Sequence, residues 1–377
     1  MTVGFFSPLP PARTGVADYS AALLRALAAL GPVKVNDRHA DVCLYHLGNN
    51  RLHREIYQRA LDTPGVVVLH DAVLHHFLLG ELSEPEYVAE FVYNYGAWNE
   101  DLARDLWRRR ARSATDPQYF SYPMLKRVAE RSRAVVVHNP AAARMVLEHA
   151  PGAVVHEIPH LFEPPEFPAP AEVIRLRHEL GLAPRIFLFA VFGHLRESKR
   201  LLSVLRAYER VRRESEMALL VAGDFVSSDL ARAAEPLLLP DRGILRTAYQ
   251  PERDFWRYAL ATDACINLRY PAAGETSGIS IRLMGAAKPV LVSAGLETSG
   301  FPQSACLRVD TGVGEEDLLA EYMLWLARFP SDAQAIGQRA AAHIGEFHAP
   351  ARVAALYWRA LAGCYDRDQA GSAIAPC

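Results

Sequence analysis

No apolar run in the 377 residues approaches the roughly 20 residues that a membrane-spanning helix needs. Cysteine is scarce as well: Cys43, Cys265, Cys306, Cys364 and Cys377 are odd in number, scattered and never in CxxC spacing. That excludes a disulfide framework and a zinc ribbon, and makes a reducing cytoplasm the expected compartment. Basic charge is not in excess. A formal net charge of -2 argues against a nucleic-acid partner, which calls for a basic face. The opening "TVGFFSPLPPARTG" puts no basic region before an apolar run, so a secretory leader is not expected. Three nucleotide and nucleophile signatures are missing too. Without GxGxxG after a strand a nicotinamide dehydrogenase is disfavoured, and without GxxxxGKS or GxxxxGKT so is a P-loop ATPase. "GETSG" is not the GxSxG elbow of an α/β-hydrolase.

What is present is apolar material in short runs. Half of the residues are apolar, and at roughly 150 residues per domain the length suggests two cores. In the first half "TVGFF", "DVCLYHL", "VVVLH" and "AVVVHN" read as buried strands. Between the first two, Leu23, Leu24, Leu27 and Leu30 recur at helical spacing over 16–30. Four prolines in "LFEPPEFPAPAE" interrupt the pattern and mark a boundary. The alternation restarts with "RIFLFAVFG", a helix from Lys199, "MALLVAGD", a helix near Asp229, "ACINLRY", a helix and "PVLVS". Strands alternating with helices imply parallel sheets, hence an α/β fold. The expected division is a first domain at 1–165, a second at 166–348, and a terminal helical segment at 349–377 that packs back on the first.

Parallel sheets bind ligands outside the carboxyl ends of their strands, so the loops there hold the candidate residues. After the first strand, Thr14 and Gly15 lead into a helix whose free N–H groups suit an anion; an ordinary helix entry is the competing reading. His70 ends "VVVLH" and could donate to a sugar hydroxyl, while Asp71 could cap the next helix. His70, His75 and His76 lie close in sequence, but not at the i, i+4 spacing of a zinc pair. His138 and Asn139 precede Pro140, and capping accounts for Asn139. In "FGHLRESKR", Gly193 permits a tight turn. Lys199 and Arg200 stand at a helix start, where a cation is unfavourable unless an anion joins it, which favours a phosphate ligand. Gly223 and Asp224 end another strand.

The densest constellation is "INLRYPAAGETSGISIRLMGAAKPVLVS". Thr276 or Ser277 can cap a helix that turns Ile279, Leu283 and Met284 inward, Gly278 leaves its opening bare for a phosphate oxygen, and Glu275 can accept from hydroxyls. The second "ETSG", at Glu297–Gly300, leads into Phe301 and Pro302 and reads as loop. Arg104, Arg108, Arg109, Arg110 and Arg112, around Leu106 and Trp107, read first as a solvated helix face. A surface that meets anionic lipid is the second reading.

With "PPARTGVADYS", "FGHLRESKR" and "GETSG" before "GAAKPVLVS", the sequence resembles the GT-B glycosyltransferases of family four, the retaining nucleotide-sugar transferases. The resemblance covers nearly the whole chain and is strongest from Phe187 to Ser293. Gly193, His194, Leu195 and Lys199 meet the family pattern GRLxxxK, with His194 in place of arginine. Glu275 meets the first position of the family's glutamate pair, and Arg282 stands where the second would fall.

The resemblance implies two Rossmann-like domains facing a central cleft, with C-terminal helices crossing back. It implies Glu275, Lys199 and His70 as catalytic, and Gly15, Gly193, His194, Arg200, Thr276, Ser277, Gly278 and Arg282 on the donor. Asp18, Asp71, His138 and Asn139 would lie on the acceptor side. It also implies a cytoplasmic hexosyltransferase of glycan, glycolipid or natural-product synthesis, peripheral to the inner membrane face if the Arg104 to Arg112 region binds lipid. The donor would be a nucleotide-diphosphate sugar and the acceptor a saccharide, lipid-linked or small molecule. No cofactor, bound metal or nucleic acid is expected. A non-catalytic sugar-nucleotide binder and a sugar-nucleotide epimerase are the alternatives on the same fold.

Overall fold

The computed structural model describes residues 1–12 and 14–372. The chain forms two compact units. The first comprises Met1–Glu163, Pro271–Thr276 and the chain from Phe347 onward; the second comprises Pro164–Tyr270 and Ser277–Glu346.

In the first unit six parallel strands run in the order β2-β1-β3-β4-β5-β6. They are β1 (Val3–Phe6), β2 (Val33–Val35), β3 (Val42–Leu47), β4 (Val66–Leu69), β5 (Ala134–Val137) and β6 (Val155–Glu157). Every residue of β1, β3, β4 and β5 is buried, as a sheet covered on both faces requires. One cover is shared by the Gly15–Ala28 helix and the Pro350–Ser372 helix. Val353, Tyr357 and Leu361 enter the core beside Val3, Phe5 and Tyr19, and the Tyr19 and Tyr357 hydroxyls lie 2.9 Å apart. Each large side chain buried this way contributes about 2 kcal/mol, so the first unit is built from both ends of the described chain.

The second unit has the strand order β12-β11-β10-β7-β8-β9, again all parallel. Its strands are β7 (Phe187–Phe192), β8 (Met217–Ala222), β9 (Ile244–Thr247), β10 (Ala264–Asn267), β11 (Val290–Ser293) and β12 (Leu307–Val309). Counted within the unit, the chain winds outward from β7 to β9 and then returns to β10 on the other side of β7. The connections after β7 and β10 therefore diverge, and the crevice between them is where an open α/β sheet takes a ligand.

The arginine-rich block is internally paired. In the Glu100–Arg109 helix, Arg104 meets Glu100 at 2.7 Å and Arg109 meets Asp105 at 2.7 Å and Asp116 at 3.2 Å. The Arg110 guanidinium lies 4.3 Å from the Trp107 ring centre, and Leu106 is fully buried. Among the described residues no helix is long and apolar enough to cross a membrane.

Candidate active site

At the crevice of the second sheet, β7 is followed by Gly193, whose φ of +86° belongs to the left-handed region. Gly223, at the end of β8 with φ +140°, is pressed against it: a β-carbon on Gly223 would fall 2.2 Å from the Gly193 carbonyl oxygen. Two glycines are needed for the backbones to close this far. A β-carbon on Gly193 would in turn lie 3.1 Å from Lys199 Nζ and 3.9 Å from Ile279 Cγ1. The turn after β7, the lysine and the first turn of the helix after β10 thus converge on one point.

Lys199 is buried, 7% exposed, and its ammonium donates to the Phe192 carbonyl. The helix expected to start at Lys199 starts at Leu201, because a short 3-10 turn, Glu197–Lys199, precedes it. Arg200 sits between the two in a left-handed conformation, φ +57°, and its guanidinium meets the buried Glu315 carboxylate at 2.8 Å. The two adjacent cations therefore separate. The charge of Arg200 is matched by a carboxylate inside the unit, whereas Lys199 faces the glycine turn.

The helix after β10 runs Gly278–Gly285, and Ser277 is its cap, taking the Ser280 N–H at 3.5 Å. Asn267 Nδ2 holds the Ser277 hydroxyl at 2.6 Å, fixing the entry. The residues this helix buries are Ser280, Ile281, Leu283 and Met284. Ile279, expected inside, is half-buried beside Gly193. Arg269, which the sequence reading passed over, lies two residues beyond β10. Its guanidinium reaches the Ser277 hydroxyl at 3.5 Å, and its backbone N–H is held by Ser293 Oγ at 2.9 Å. Both Lys199 and Arg269 pull down on the Cys265 thiol of β10, against a burial that pushes it up to about 12. Two cations and a helix opening on one crevice create a positive potential suited to an oxyanion.

The loop Pro271–Thr276 belongs to the first unit. Ala72 N–H donates to the Ala273 carbonyl at 2.8 Å, and Asn139 Nδ2 donates to the Gly274 carbonyl at 2.9 Å and to Thr276 Oγ1 at 3.0 Å. Thr276 Oγ1 donates to the His138 carbonyl at 3.2 Å. So Thr276 and Ser277, adjacent in sequence, serve different units, and only Ser277 is a cap. Glu275 accepts the Ala273 N–H at 2.7 Å. Asn139 also caps the Pro140–His149 helix through Oδ1, 2.9 Å from Ala142 N.

Around the carboxyl ends of the first sheet lies a cluster of imidazoles. Tyr19 has ring contacts to His46, His70, His138 and His160 at 4.6 to 6.1 Å between centres. His70 Nε2 lies 3.0 Å from His46 Nδ1. His138 Nδ1 donates to the Ile158 carbonyl and His53 Nδ1 to the His46 carbonyl, both at 2.9 Å. The second ring nitrogens of His46, His53 and His138 are buried with no hydrogen-bond partner in the protein. Burial holds His53 and His138 at about 4, and places His46, His70 and His160 well below the usual histidine range. In neutral rings a bare lone pair costs less to bury than an orphaned N–H. With His46 Nε2 left as the bare lone pair, His46 Nδ1–H donates to His70 Nε2, and His70 in that tautomer is a donor through Nδ1.

The other expected residues are placed as follows. Asp71 does not cap a helix: its carboxylate takes the Asn49 N–H at 2.8 Å, and Asn49 Oδ1 in turn takes the Phe77 N–H at 2.7 Å in the His75–Glu81 helix. His75 and His76 diverge from His70, bonding Tyr119 and Tyr87 in one case and the Ser113 carbonyl in the other. Thr14 caps its helix through Ala17 N at 3.1 Å, with Asp18 exposed in the first turn, and a β-carbon on Gly15 would meet open space. Arg282 pairs with Glu252 and stacks 4.0 Å from the Phe255 ring centre, on the Glu252–Ala261 helix. His194 is exposed beside Gly193, and its acidity is raised by partial burial and by Arg196 and Lys199.

No protein-family model matches the chain, and no curated protein matches its sequence. Solved structures do. Sucrose-phosphate synthase from Thermosynechococcus elongatus superposes with a TM-score of 0.68 at 15% identity, over 96% of this chain and 100% of that one. Anabaena HepE in complex with UDP does so at 0.62 and 14% identity, over 96% and 100%. WaaG, a glycosyltransferase involved in lipopolysaccharide biosynthesis, follows at 0.61 and 14%, over 93% and 98%. The chain has their fold: α/β of the GT-B class, as the sequence leads one to expect.

Proposed function

We propose that the protein is a glycosyltransferase that takes a nucleotide-diphosphate sugar and passes the sugar to an acceptor hydroxyl with retention of anomeric configuration. The observation that supports this reading is the crevice of the second sheet. There Gly193, Gly223, Lys199, Arg269 and the opening of the Gly278–Gly285 helix converge on a space whose cations and bare N–H groups suit a diphosphate. As the glycosidic bond to phosphate breaks, negative charge grows on the leaving oxygen. Fixed cations and N–H groups stabilise it without reorganising, and one such donor is typically worth about 10²- to 10³-fold in rate. Arg200 and Arg282 take structural roles in this scheme, bound as they are to Glu315 and Glu252.

Glu275 and His70, both of the first unit, are assigned to sugar hydroxyls, the glutamate as acceptor and His70 Nδ1–H as donor. Attack by the acceptor oxygen on the face that the diphosphate leaves would transfer the acceptor proton to the departing phosphate. No protein nucleophile is then required.

HepE has been crystallised with UDP, with UDP-glucose, and with UDP and glucose, which makes UDP sugars the first donors to try, followed by GDP, ADP and dTDP sugars. The test is release of nucleoside diphosphate and the anomeric configuration of the glycoside formed. A folded Glu275→Ala protein is expected to lose turnover. Absence of binding and turnover across the panel would refute the reading, and an inverted product would refute retention.

A further inference from the structure

One exposed feature beside the crevice has no structural employment. The imidazole of His194 and the phenol ring of Tyr249 are nearly parallel, 14° between planes, with centres 6.4 Å apart. His194 follows Gly193 at the end of β7, and Tyr249 lies two residues beyond β9; both are exposed, Tyr249 to 47%. The Tyr249 backbone is fixed by its N–H, which the Asp224 carboxylate accepts at 3.2 Å from the end of β8. Neither ring fills a core. Two flat faces presented to water are an unfavourable arrangement that a third planar group would relieve.

We propose that the nucleobase of the donor stacks against the His194 and Tyr249 rings, so that this pair, rather than a cation at position 194, grips the nucleoside. The inference rests on the nucleotide-sugar reading above. Three observations carry it. The spacing is near what a third ring needs, since optimal carbon–carbon separations of about 3.5 Å on each face require about 7 Å. The position is right, because His194 adjoins the glycine turn that meets Lys199, and the ring pair joins the loops after β7 and β9, which lie on the other side of β7 from β10 and its Gly278–Gly285 helix in the strand order. A nucleoside diphosphate is a long ligand with its charge at one end and its flat ring at the other, and this edge of the sheet offers cations at one end and flat rings at the other. The chemistry of position 194 also fits. Partial burial first, and then Arg196 and Lys199 beside it, disfavour the charged imidazole, and a neutral ring is a weak partner for phosphate but a good one for a base.

The experiment is calorimetric titration of the full-length protein with UDP, GDP, ADP and dTDP, and with base-free ribose 5-diphosphate. Relative to wild type, His194→Ala and Tyr249→Ala are each expected to weaken the best nucleoside diphosphate about tenfold or more. Ribose 5-diphosphate should bind all three proteins alike. The aromatic replacements His194→Phe and Tyr249→Phe should restore most of the nucleotide affinity. Equal losses for the nucleotide and the base-free diphosphate would mean that position 194 contacts phosphate, and would overturn the stacking. Unchanged nucleotide binding in the double alanine protein would overturn it too. A wild-type protein that binds no nucleoside diphosphate would instead refute the functional reading beneath it.

Discussion

The carboxyl ends of the two sheets are furnished in opposite ways. Those of the first carry neutral rings, the buried His46, His70 and His138 and the half-buried His160, around Tyr19. Those of the second carry glycines with positive φ, a buried lysine and a half-buried arginine beside a helix opening. The first arrangement avoids charge and offers single hydrogen-bond donors and acceptors, which suits hydroxyl groups. The second concentrates positive charge and bare backbone, which suits a diphosphate. The same topological position in two α/β units has been given two chemistries, so conditions and mutations that disturb one should leave the other nearly intact.

The largest expected effect separates chemistry from stability. Lys199→Ala should lower nucleotide-sugar turnover about 10²- to 10³-fold, with the folded state retained, as read by initial rates and circular dichroism. Acid comes next and strikes the first unit. His53 and His138 ionise at about 4 in the folded protein and at about 6.5 when unfolded. Above that unfolded value both states are neutral and nothing is lost. As pH falls below it, the unfolded chain takes up protons that the folded one refuses, and this pair alone removes about 3 kcal/mol per pH unit down to about 4. Hydrogen exchange at pH 7.5 and 5.5 should show protection falling in β3, β4 and β5 before β7, β8 and β10. Equal loss in both sheets would erase the contrast.

Smaller effects sharpen it. Arg200→Ala leaves the Glu315 carboxylate buried and unpaired, and with the arginine one-third exposed the cost should be about 2 kcal/mol. Arg200→Gly should be milder by about 1 kcal/mol, because the left-handed conformation suits glycine. Denaturant midpoints check both. If Arg200→Ala cost turnover but no stability, Arg200 would be a donor ligand after all. The smallest change is Thr14→Ala, a lost helix cap in the first unit, expected at about 1 kcal/mol by thermal unfolding.

The interior of each sheet was plain in the sequence and the margins were not. The eight strands read from apolar runs are the central ones of both sheets, four in each. The four that escaped notice, "VKV", "VHE", "ILRT" and "LRV", are the four edges, three or four residues long, part-exposed and interrupted by charged or titratable side chains. An edge strand has one neighbour and needs no apolar run. The candidate crevice was legible where motif and topology coincide: Gly193 does make the turn after β7 beside Lys199, and Ser277 does cap the helix. Arg269 was hidden because it looked like the tail of the strand "ACINLRY"; its place just past the strand beside the crevice was the available signal. His46 was hidden inside "LYHL", where a histidine on a buried strand reads as core. Which partner an arginine finds cannot be read from spacing: Glu315 lies 115 residues beyond Arg200.

The claim that the second sheet's crevice is a diphosphate site is tested most directly by calorimetric titration of the full-length Arg269→Ala protein with UDP and the other nucleoside diphosphates, beside wild type. Arg269 was not singled out by any motif, so its effect is an independent check on the geometry. A loss of affinity of about tenfold or more, with the melting temperature held, is the predicted result for a charge-assisted contact to phosphate. Nucleotide binding of full strength in that variant would contradict the account.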